Sequence, residues 1–253
     1  MTNTSQNDLM NYWYAYTYDQ QVIQDDVNHI IATVGDTPLN ILEVACGSGR
    51  IAIPLAKKGH TVTGFDVDEA MLARIPAKAG GLTNLNCFKA DAVSDDWGSG
   101  YDVVILSGNV LVNIITDGDY QQAQELFIQK AAACVKQGGH LYLDFTCASW
   151  PDFSSDKAEE RVLFEGTDDR GTYGKFIMVS GDYSNETHID KSHRRYEITP
   201  KGSEMFTVTK QVVKHFPTYQ QVVAWLKKYG WEIQWHNPVE KETFQAIIWA
   251  RKA

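Results

Sequence analysis

Short apolar runs alternate with segments of helical period from residue 41 to residue 145. The apolar runs read ILEVA, VTGFD, LNCFKA, YDVVILS and GHLYLDF, and the helical segments read RIAIPLAKKG, EAMLARI and a longer stretch near 120–135. Strands separated by helices predict a parallel, doubly wound sheet. Basic residues and glycines close the helices, as at Gly59 and at Gly138-Gly139. Pro54 is the one local conflict, because a proline fits a helix only near its first turn.

The pattern changes after Asp144. Clusters of Ser, Asp and Gly now separate the runs RVLFEG, KFIMVSGDY, SHRRYEIT and MFTVTKQVVKHF, and no helical period returns before Pro217. These runs predict an antiparallel β-meander over residues 150–216. Their apolar and aromatic content is too high for a disordered linker. We therefore expect a β-rich insert, acting as a lid over a substrate.

The last part of the chain returns to the α/β pattern. Thr218 and Gln221 predict a capping box, Gly230 ends the helix, and the strands WEIQWHN and TFQAIIWARK follow. With only residues 238–242 between them, these strands must form an antiparallel hairpin. The predicted fold is α/β: a doubly wound, Rossmann-like, mostly parallel sheet with an antiparallel last strand, plus an inserted antiparallel β-subdomain. Residues 1–149 and 217–253 form the Rossmann-like domain, with 1–36 as its N-terminal helical cap.

Composition narrows the classes of partner. The chain has 253 residues, a formal net charge of -9 and a pI near 5.2, which disfavours a protein that neutralises nucleic-acid phosphates. The start MTNTSQNDLM lacks a basic and an apolar region, and no run approaches the ~20 apolar residues of a membrane span. We expect a cytoplasmic protein with a small-molecule partner. Its four cysteines are scattered, without CxxC pairs or histidines at ligand spacing, so no metal site is expected.

The stretch NILEVACGSGR, residues 40–50, carries the clearest chemistry. An apolar strand runs into Gly47 and Gly49, where the backbone can turn sharply and a ligand can approach closely. A helix begins there, and its free N–H groups favour a negatively charged ligand group. Roughly twenty residues later, the next strand ends in Asp66, which can accept hydrogen bonds from both ribose hydroxyls. This unit predicts a nucleotide-cofactor site.

The glycines alone do not choose the cofactor. Residues 47–52 also fit the G-x-G-x-x-A form of the NAD fingerprint, so an NAD-dependent oxidoreductase stays an alternative. Glu43, just before the turn, would repel a pyrophosphate but could pair with an ammonium group. Asp91 follows the third strand, where a carboxylate can accept a hydrogen bond from an adenine amino group. These acids favour a cofactor that carries a cation.

The motifs LEVACGSGR, GFDVDEAML, KADA, YDVVILS and VKQGGHLYLDF resemble, in order and spacing, those of class I S-adenosylmethionine-dependent methyltransferases. The resemblance covers roughly residues 38–146 and the closing helix and hairpin. The insert is placed as in small-molecule members such as amino-sugar N-methyltransferases and the glycine methyltransferase type. The resemblance implies S-adenosylmethionine as cofactor and transfer of its methyl group to N or O of a small molecule by in-line displacement.

The resemblance also implies roles for particular residues. Glu43 and the glycine turn would hold the methionine end of the cofactor, Asp66 the ribose and Asp91 the adenine. Ser107 would border the methyl group, and Tyr18 would lie near the cofactor carboxylate. The implied cofactor-binding residues are Tyr18, Glu43, Ala45, Gly47, Gly49, Asp66, Val67, Met71, Asp91, Ala92 and Ser107.

Simpler interpretations stay open for these residues. Each acid taken singly is better explained as a solvated strand end or a helix cap, with Asp68 and Glu69 as caps of the second helix. The occurrence of Glu43, Asp66 and Asp91 at the ends of three successive strands favours a cofactor site over these simpler interpretations. The aromatic run over residues 11–19 is too dense for a free tail. Trp13 and Tyr14 could face the substrate, and plain packing of a helix explains them equally well.

Candidates for catalysis are weaker. Asn109 and Asn113 could orient an amine or hydroxyl of the substrate, and His193 and His215 are candidate bases beside His188. Each histidine is more often a surface residue. The basic cluster 191–195 could bind an acidic substrate group, although a solvated strand face explains it better.

The segment SGNVL after the fourth strand lacks the proline- and aromatic-rich motif of DNA adenine methyltransferases, so DNA is not an expected partner. The catalytic candidates are thus Asn109, His193 and His215, and the substrate-binding candidates Trp13, Tyr14, Asn109 and Asn113. A non-catalytic adenosylmethionine-binding protein is a further alternative. The oligomeric state stays open, a homodimer included.

Overall fold

A computed structural model describes residues 5–21, 25–148, 160–237 and 245–253 of the chain. The chain divides into two compact units, Met1–Ile23 with Asp152–Val213 and Gln24–Pro151 with Lys214–Ala253. The sequence predicted that residues 1–36 cap the Rossmann-like domain. The structure instead groups the first helix with the inserted β-sheet, because its apolar side chains pack on that sheet.

Helices and strands follow in the order α1 (Gln6–Gln21), α2 (Asp25–Val34), β1 (Asn40–Val44), α3 (Ala52–Lys57), β2 (Thr61–Asp66), α4 (Glu69–Leu72), α5 (Ile75–Ala79), β3 (Leu85–Lys89), β4 (Tyr101–Leu106), α6 (Tyr120–Cys134), β5 (Val135–Thr146), β6 (Arg161–Thr167), β7 (Tyr173–Ser184), β8 (Ile189–Thr199), β9 (Phe206–His215), α7 (Tyr219–Lys228), β10 (Trp231–His236) and β11 (Gln245–Lys252).

The larger unit contains a seven-stranded sheet in the order β10-β11-β5-β4-β1-β2-β3. Pairs β1–β2, β1–β4, β2–β3 and β4–β5 are parallel, whereas β11 is antiparallel to both β5 and β10. The predicted doubly wound sheet with an antiparallel last strand is confirmed. The predicted link between the two closing strands, residues 238–242, lies outside the described residues.

Apolar side chains cover both faces of this sheet. The strands β1 and β4 and the second half of β5 are buried almost throughout, as expected for central parallel strands. On one face, Phe127 and Ile128 of α6 and Val222 and Leu226 of α7 pack against them. On the other face, α2 and α3 contribute a second cluster that includes Ile30. The covered sheet holds the strand ends in fixed positions.

Proline and capping residues explain the helix boundaries. Pro54 lies at the third position of α3, inside the first turn, so the expected conflict does not arise. The segment EAMLARI was predicted as one helix, and the structure contains two short ones, α4 and α5. Pro76 at the start of α5 lacks the N–H that a continuous helix needs. The capping box of Thr218 and Gln221 is confirmed at the start of α7.

The smaller unit is a four-stranded sheet in the order β6-β7-β8-β9 with α1 packed on it. Pairs β6–β7 and β7–β8 are antiparallel, which confirms the predicted β-insert. Trp13 of α1 is fully buried and donates its indole N–H to the Gly166 carbonyl at 2.9 Å. Its ring occupies the space above Gly174, where a Cβ atom would lie only 2.4 Å from the indole. Trp13 of the N-terminal aromatic run therefore belongs to the core of this unit, together with Met10, Phe176 and Ile198.

Of the helices in the described ranges, none has the length and apolar character needed to cross a lipid bilayer.

Candidate functional site

A cavity of about 340 Å³ opens at the carboxyl ends of β1, β2, β3 and β4, within the larger unit. Parallel α/β sheets bind ligands at this edge. Apolar side chains, among them Phe65, Val110 and Phe127, form much of its wall. The predicted site residues that line it are Ala45, Asp66, Val67, Asp91, Ala92, Ser107 and Asn113.

Other predicted residues lie near the cavity without lining it. Glu43 lies near the end of β1, Gly47 and Gly49 lie on the turn that follows it, and Met71 is buried on α4. Asp68 accepts hydrogen bonds from the amides of Ala70 and Met71, so it caps α4 as the alternative interpretation expected.

The glycine turn is held in left-handed backbone conformations. Gly47 has φ 53° and Gly49 has φ 77°, and a Cβ atom at Gly49 would lie 3.0 Å from the Ile53 side chain. Ala45 also has a positive φ, 57°, a conformation that costs an L-residue roughly 1–2 kcal/mol. Its side chain is small enough to leave the cavity open at the point where β1 ends.

Asp66 connects this turn to the end of β2. Its Oδ2 accepts the Gly47 N–H at 2.8 Å, and its Oδ1 accepts the Asp68 N–H at 2.8 Å. Burial raises the pKa of this carboxyl, and hydrogen bonds from the amides of Asp68, Gly47 and Val67 partly offset that effect. A carboxylate offers about four lone-pair positions, so Asp66 keeps acceptor capacity for a ligand in the cavity that it lines.

Glu43 is the second acid of the site. It is only 4% exposed, and burial raises its pKa well above the usual range. The carboxyl accepts a hydrogen bond from the Ala52 amide, but its Oε2 has no partner among the described residues. Arg50 lies close enough to lower this pKa in part, and is itself ion-paired with Asp26 at 2.6 Å. Glu43 therefore has one buried acceptor atom available for a donor.

The turn after β3 is held by a residue that the sequence did not predict. Lys130 of α6 donates from Nζ to the carbonyl oxygens of Ala92, Val93 and Asp95 at 2.8–2.9 Å. Asp91 closes the same turn by accepting the Val93 N–H at 2.8 Å. Lys130 fixes the part of the wall where the adenine was expected. A lysine on a helix gives no sequence signal for such a role.

A second unpredicted residue, Asp144, organises the turn after β4. This carboxylate is 2% exposed and accepts hydrogen bonds from the Ser107 hydroxyl and from the amides of Gly108 and Asn109, the latter two at 3.2 and 3.1 Å. Gln245 of β11 donates to it at 3.1 Å. Burial raises the pKa of Asp144. The sequence did carry a signal, an acid inside the apolar run LYLDF.

Asn109 locks the same turn from the opposite direction. Its φ is 63°, and its side-chain oxygen accepts the N–H of Thr146 at 2.7 Å and the Thr146 hydroxyl at 2.9 Å. Because the Ser107 hydroxyl donates its proton to Asp144, its oxygen can act only as an acceptor toward a ligand in the cavity. Asn109, predicted to orient a substrate, has its carbonyl oxygen engaged with the backbone.

Asn113 and His215 lie farther along the same side of the unit. Asn113 lines the cavity, and its side-chain oxygen accepts a hydrogen bond from Lys214. His215 is 2% exposed, and its Nδ1 lies 2.8 Å from the Gln124 side-chain oxygen. Gln124 also donates to the carbonyl oxygens of His215 and Leu111. The structure thus gives His215 a contact with α6 rather than a place in the cavity wall.

The remaining candidates lie in the smaller unit. Tyr14 contacts Phe176 edge-to-face with ring centroids 5.5 Å apart, and Tyr18 contacts Phe164 in the same way. His193 is exposed on β8, with Nδ1 3.3 Å from the Ser180 hydroxyl, and His188 has a φ of 55° in the β7–β8 turn. These contacts are those of a packed sheet and its surface.

Residues 41–139 match the model of a family described as "Methyltransferase domain". A putative methyltransferase of Geobacillus sp. (strain WCH70) is 27% identical over 134 residues, 53% of this chain and 51% of that protein. The chain thus spans about half the length of this curated relative.

Solved structures match over nearly the whole chain. The CcbJ methyltransferase from Streptomyces caelestis superposes with a TM-score of 0.72 at 16% identity, covering 97% of this chain and 98% of that one. The S-adenosylmethionine-bound CalS10, an amino pentose methyltransferase from Micromonospora echinaspora, has a TM-score of 0.67 at 16% identity and covers 95% of both chains. The predicted fold, with its insert, is confirmed.

Proposed function

We propose that this chain, which carries a methyltransferase domain with the class I fold, transfers a methyl group from S-adenosylmethionine to an N or O atom of a small molecule. The observation that carries the proposal is Asp66. It ends β2, lines the cavity beside the glycine turn, and keeps acceptor capacity on its carboxylate beyond the amides that it binds. A carboxylate in this place suits the hydroxyls of a ribose.

The other residues around the cavity fit the same cofactor. The buried Oε2 of Glu43 needs a donor, which the ammonium group of the methionine end would supply. Asp91 and the apolar Val67 and Ala92 would surround the adenine, and Ser107 would border the methyl group. A buried carboxylate beside the turn disfavours the pyrophosphate of NAD, because like charges repel strongly away from water.

The bound sulfonium supplies the reactive methyl group, so the protein mainly has to align the acceptor and exclude water. The turn after β4 is suited to alignment, because Asp144 and Asn109 fix it from two directions. Ser107 presents an acceptor oxygen to the cavity and would favour a substrate group that donates N–H or O–H. This supports an amine or a hydroxyl as the methyl acceptor.

Several features support a small molecule as substrate. The cavity volume of about 340 Å³ lies in the range of small-ligand sites. The net charge of -9 disfavours a nucleic acid. The structurally similar CalS10 is described as an amino pentose methyltransferase, and amino sugars carry both amine and hydroxyl groups.

Binding and turnover test the proposal separately. Calorimetry with S-adenosylmethionine and with NAD should give saturable binding only for the first, and binding of NAD alone would favour the oxidoreductase. A panel of amines, amino sugars and hydroxylated small molecules, with RNA included, is then screened for release of adenosylhomocysteine. Turnover of RNA alone would contradict the small-molecule assignment. Cofactor binding without any turnover would favour a non-catalytic binding protein.

A further inference from the structure

Two cysteine thiols meet over a glycine beside the proposed cofactor site. Gly64 lies in the middle of β2, directly opposite Cys87 of β3. A Cβ atom at Gly64 would lie 2.9 Å from Cys46 Sγ and 3.0 Å from Cys87 Sγ. The two sulfur atoms therefore share the space that a side chain would fill, and the thiols are hydrogen-bonded to each other.

The two thiols differ in exposure and acidity. Cys46 is 3% exposed, and the hydrogen bond to Cys87 together with burial raises its pKa. Cys87 is partly exposed, and the hydrogen bond from Cys46 lowers its pKa. An accessible thiol of lowered pKa beside a second cysteine is the arrangement found in redox-sensitive proteins. The two other cysteines lack it, since Cys134 and Cys147 are buried singly.

We propose that Cys46 and Cys87 form a reversible disulfide, a modification site that controls the glycine turn. The Cys87 thiolate attacks one sulfur of a low-molecular-weight disulfide such as oxidised glutathione, which yields a mixed disulfide and one released thiolate. Cys46 then gives its proton to water and attacks Cys87 Sγ, expelling the second glutathione thiolate. Two protein thiols are oxidised, and one small disulfide is reduced to two thiols.

The geometry favours the second step. Once Cys87 carries glutathione, its Sγ still borders the space that it shares with Cys46 Sγ. Cys46 then becomes the resolving thiol, and Gly64 offers no side chain to separate the two sulfurs. A disulfide needs Cβ atoms roughly 3.5–4.5 Å apart and a fixed dihedral angle about the S–S bond, so bond formation constrains the backbone at Cys46.

Movement of Cys46 would be felt directly by the turn. Its N–H donates to the Phe65 carbonyl and its carbonyl accepts the Gly49 N–H, both at 2.9 Å. The next residue, Gly47, donates to Asp66. Oxidation therefore displaces the backbone that supports the ribose-binding carboxylate. This effect on cofactor affinity rests on the proposed function, whereas the disulfide itself does not.

The test begins with the whole reduced chain and excess oxidised glutathione. Intact-mass spectrometry should detect the loss of two hydrogens without an adduct, and peptide mapping should join Cys46 to Cys87. Cys46→Ser should instead retain one glutathione on Cys87, and Cys87→Ser should stay unmodified. Cys134→Ser is the matched control and should form the same link as the wild type. Absence of the 46–87 link in the folded wild type overturns the proposal.

Calorimetry then measures the effect on the cofactor site. The Kd for S-adenosylmethionine should rise at least about tenfold on oxidation and return with dithiothreitol, while the Cys87→Ser variant should not respond. If the Kd is unchanged in protein shown to carry the Cys46–Cys87 disulfide, the proposed effect of oxidation on the glycine turn is wrong. If the reduced protein does not bind S-adenosylmethionine at all, the proposed function is wrong, and the mass data still decide the disulfide.

Discussion

Replacing Asp66 with asparagine changes one carboxylate oxygen into an NH₂ group at nearly constant size. The carboxylate has about four acceptor positions. The amides of Gly47, Asp68 and Val67 use part of this capacity, and the rest is available to a ligand in the cavity that Asp66 lines. The asparagine side chain would keep two acceptor positions on a single oxygen, and its NH₂ group would face a backbone N–H group. One ribose hydroxyl therefore loses its acceptor.

A hydrogen bond to a charged group contributes about 1.5–3 kcal/mol. Loss of one such bond predicts a Kd for S-adenosylmethionine about 10 to 150 times higher. The Kd is measured by isothermal titration calorimetry, and thermal unfolding of the unliganded protein checks that the fold is retained. A Kd within about threefold of wild type, in a variant that melts normally, would refute the assignment of Asp66 to the ribose.

Asp102→Asn provides a matched control for this experiment. Asp102 also accepts a backbone N–H at 2.8 Å, from Asn40, and pairs with Lys136. It lies at the start of β4, at the opposite end of that strand from the cavity. The substitution removes the same charge and should leave the Kd for S-adenosylmethionine unchanged. If Asp102→Asn lowered the affinity for S-adenosylmethionine as much as Asp66→Asn does, the effect would come from the change in net charge and not from loss of a contact with the ligand.

Substitutions of three further site residues test the geometry of the site. Glu43→Gln should raise the melting temperature of the unliganded protein, because the raised pKa of Glu43 makes wild-type stability fall as pH rises above about 4.5. The difference in melting temperature from wild type should therefore grow with pH, and a pH-independent difference would contradict this. The stabilisation of the variant by S-adenosylmethionine should be smaller than that of the wild type. Ala45→Gly should raise the free energy of unfolding by about 0.5–1 kcal/mol by relieving the positive φ. The control Ala133→Gly on α6 should lower it by about 1 kcal/mol. Equal effects of the two variants in urea titrations would show that the backbone at Ala45 is not strained. Asp144→Ala should lower the free energy of unfolding by about 3–5 kcal/mol because it leaves buried donors unpaired. Asp144→Asn should lower it less, because the asparagine keeps one acceptor for Ser107. The opposite order of stability in denaturant titrations would refute the role of the carboxylate.

Local patterns in the sequence predicted most of the larger unit. Apolar runs bounded by glycine predicted the strands that precede the cavity, and the capping box at Thr218 predicted the start of α7. These signals are short-range, because a strand period or a cap depends on neighbours within a few residues. Pro76 carried the same kind of information and was overlooked when EAMLARI was interpreted as one helix.

Contacts between distant segments explain what the sequence did not predict. The association of α1 with β6–β9 depends on Trp13 fitting over Gly174, and the local sequence around either residue does not predict this contact. In the sequence, Lys130 is an ordinary polar residue of a helix. Its role follows only from the tertiary structure, which brings α6 beside the turn after β3. Asp144 could have been predicted, since an acid within an apolar strand needs buried donors, as Glu43 also does.

The packing of Trp13 above Gly174 also sets an order of events during synthesis. The ribosome produces α1 first, but the sheet that covers its apolar face, β6–β9, follows only after most of the larger unit has been made. At about 5–20 residues per second, the complete β6–β9 sheet is synthesised roughly 10 to 40 seconds after α1. During that time its aromatic face is exposed to other nascent chains and to chaperones. The smaller unit thus cannot fold until most of the larger unit has been synthesised, although it contains α1.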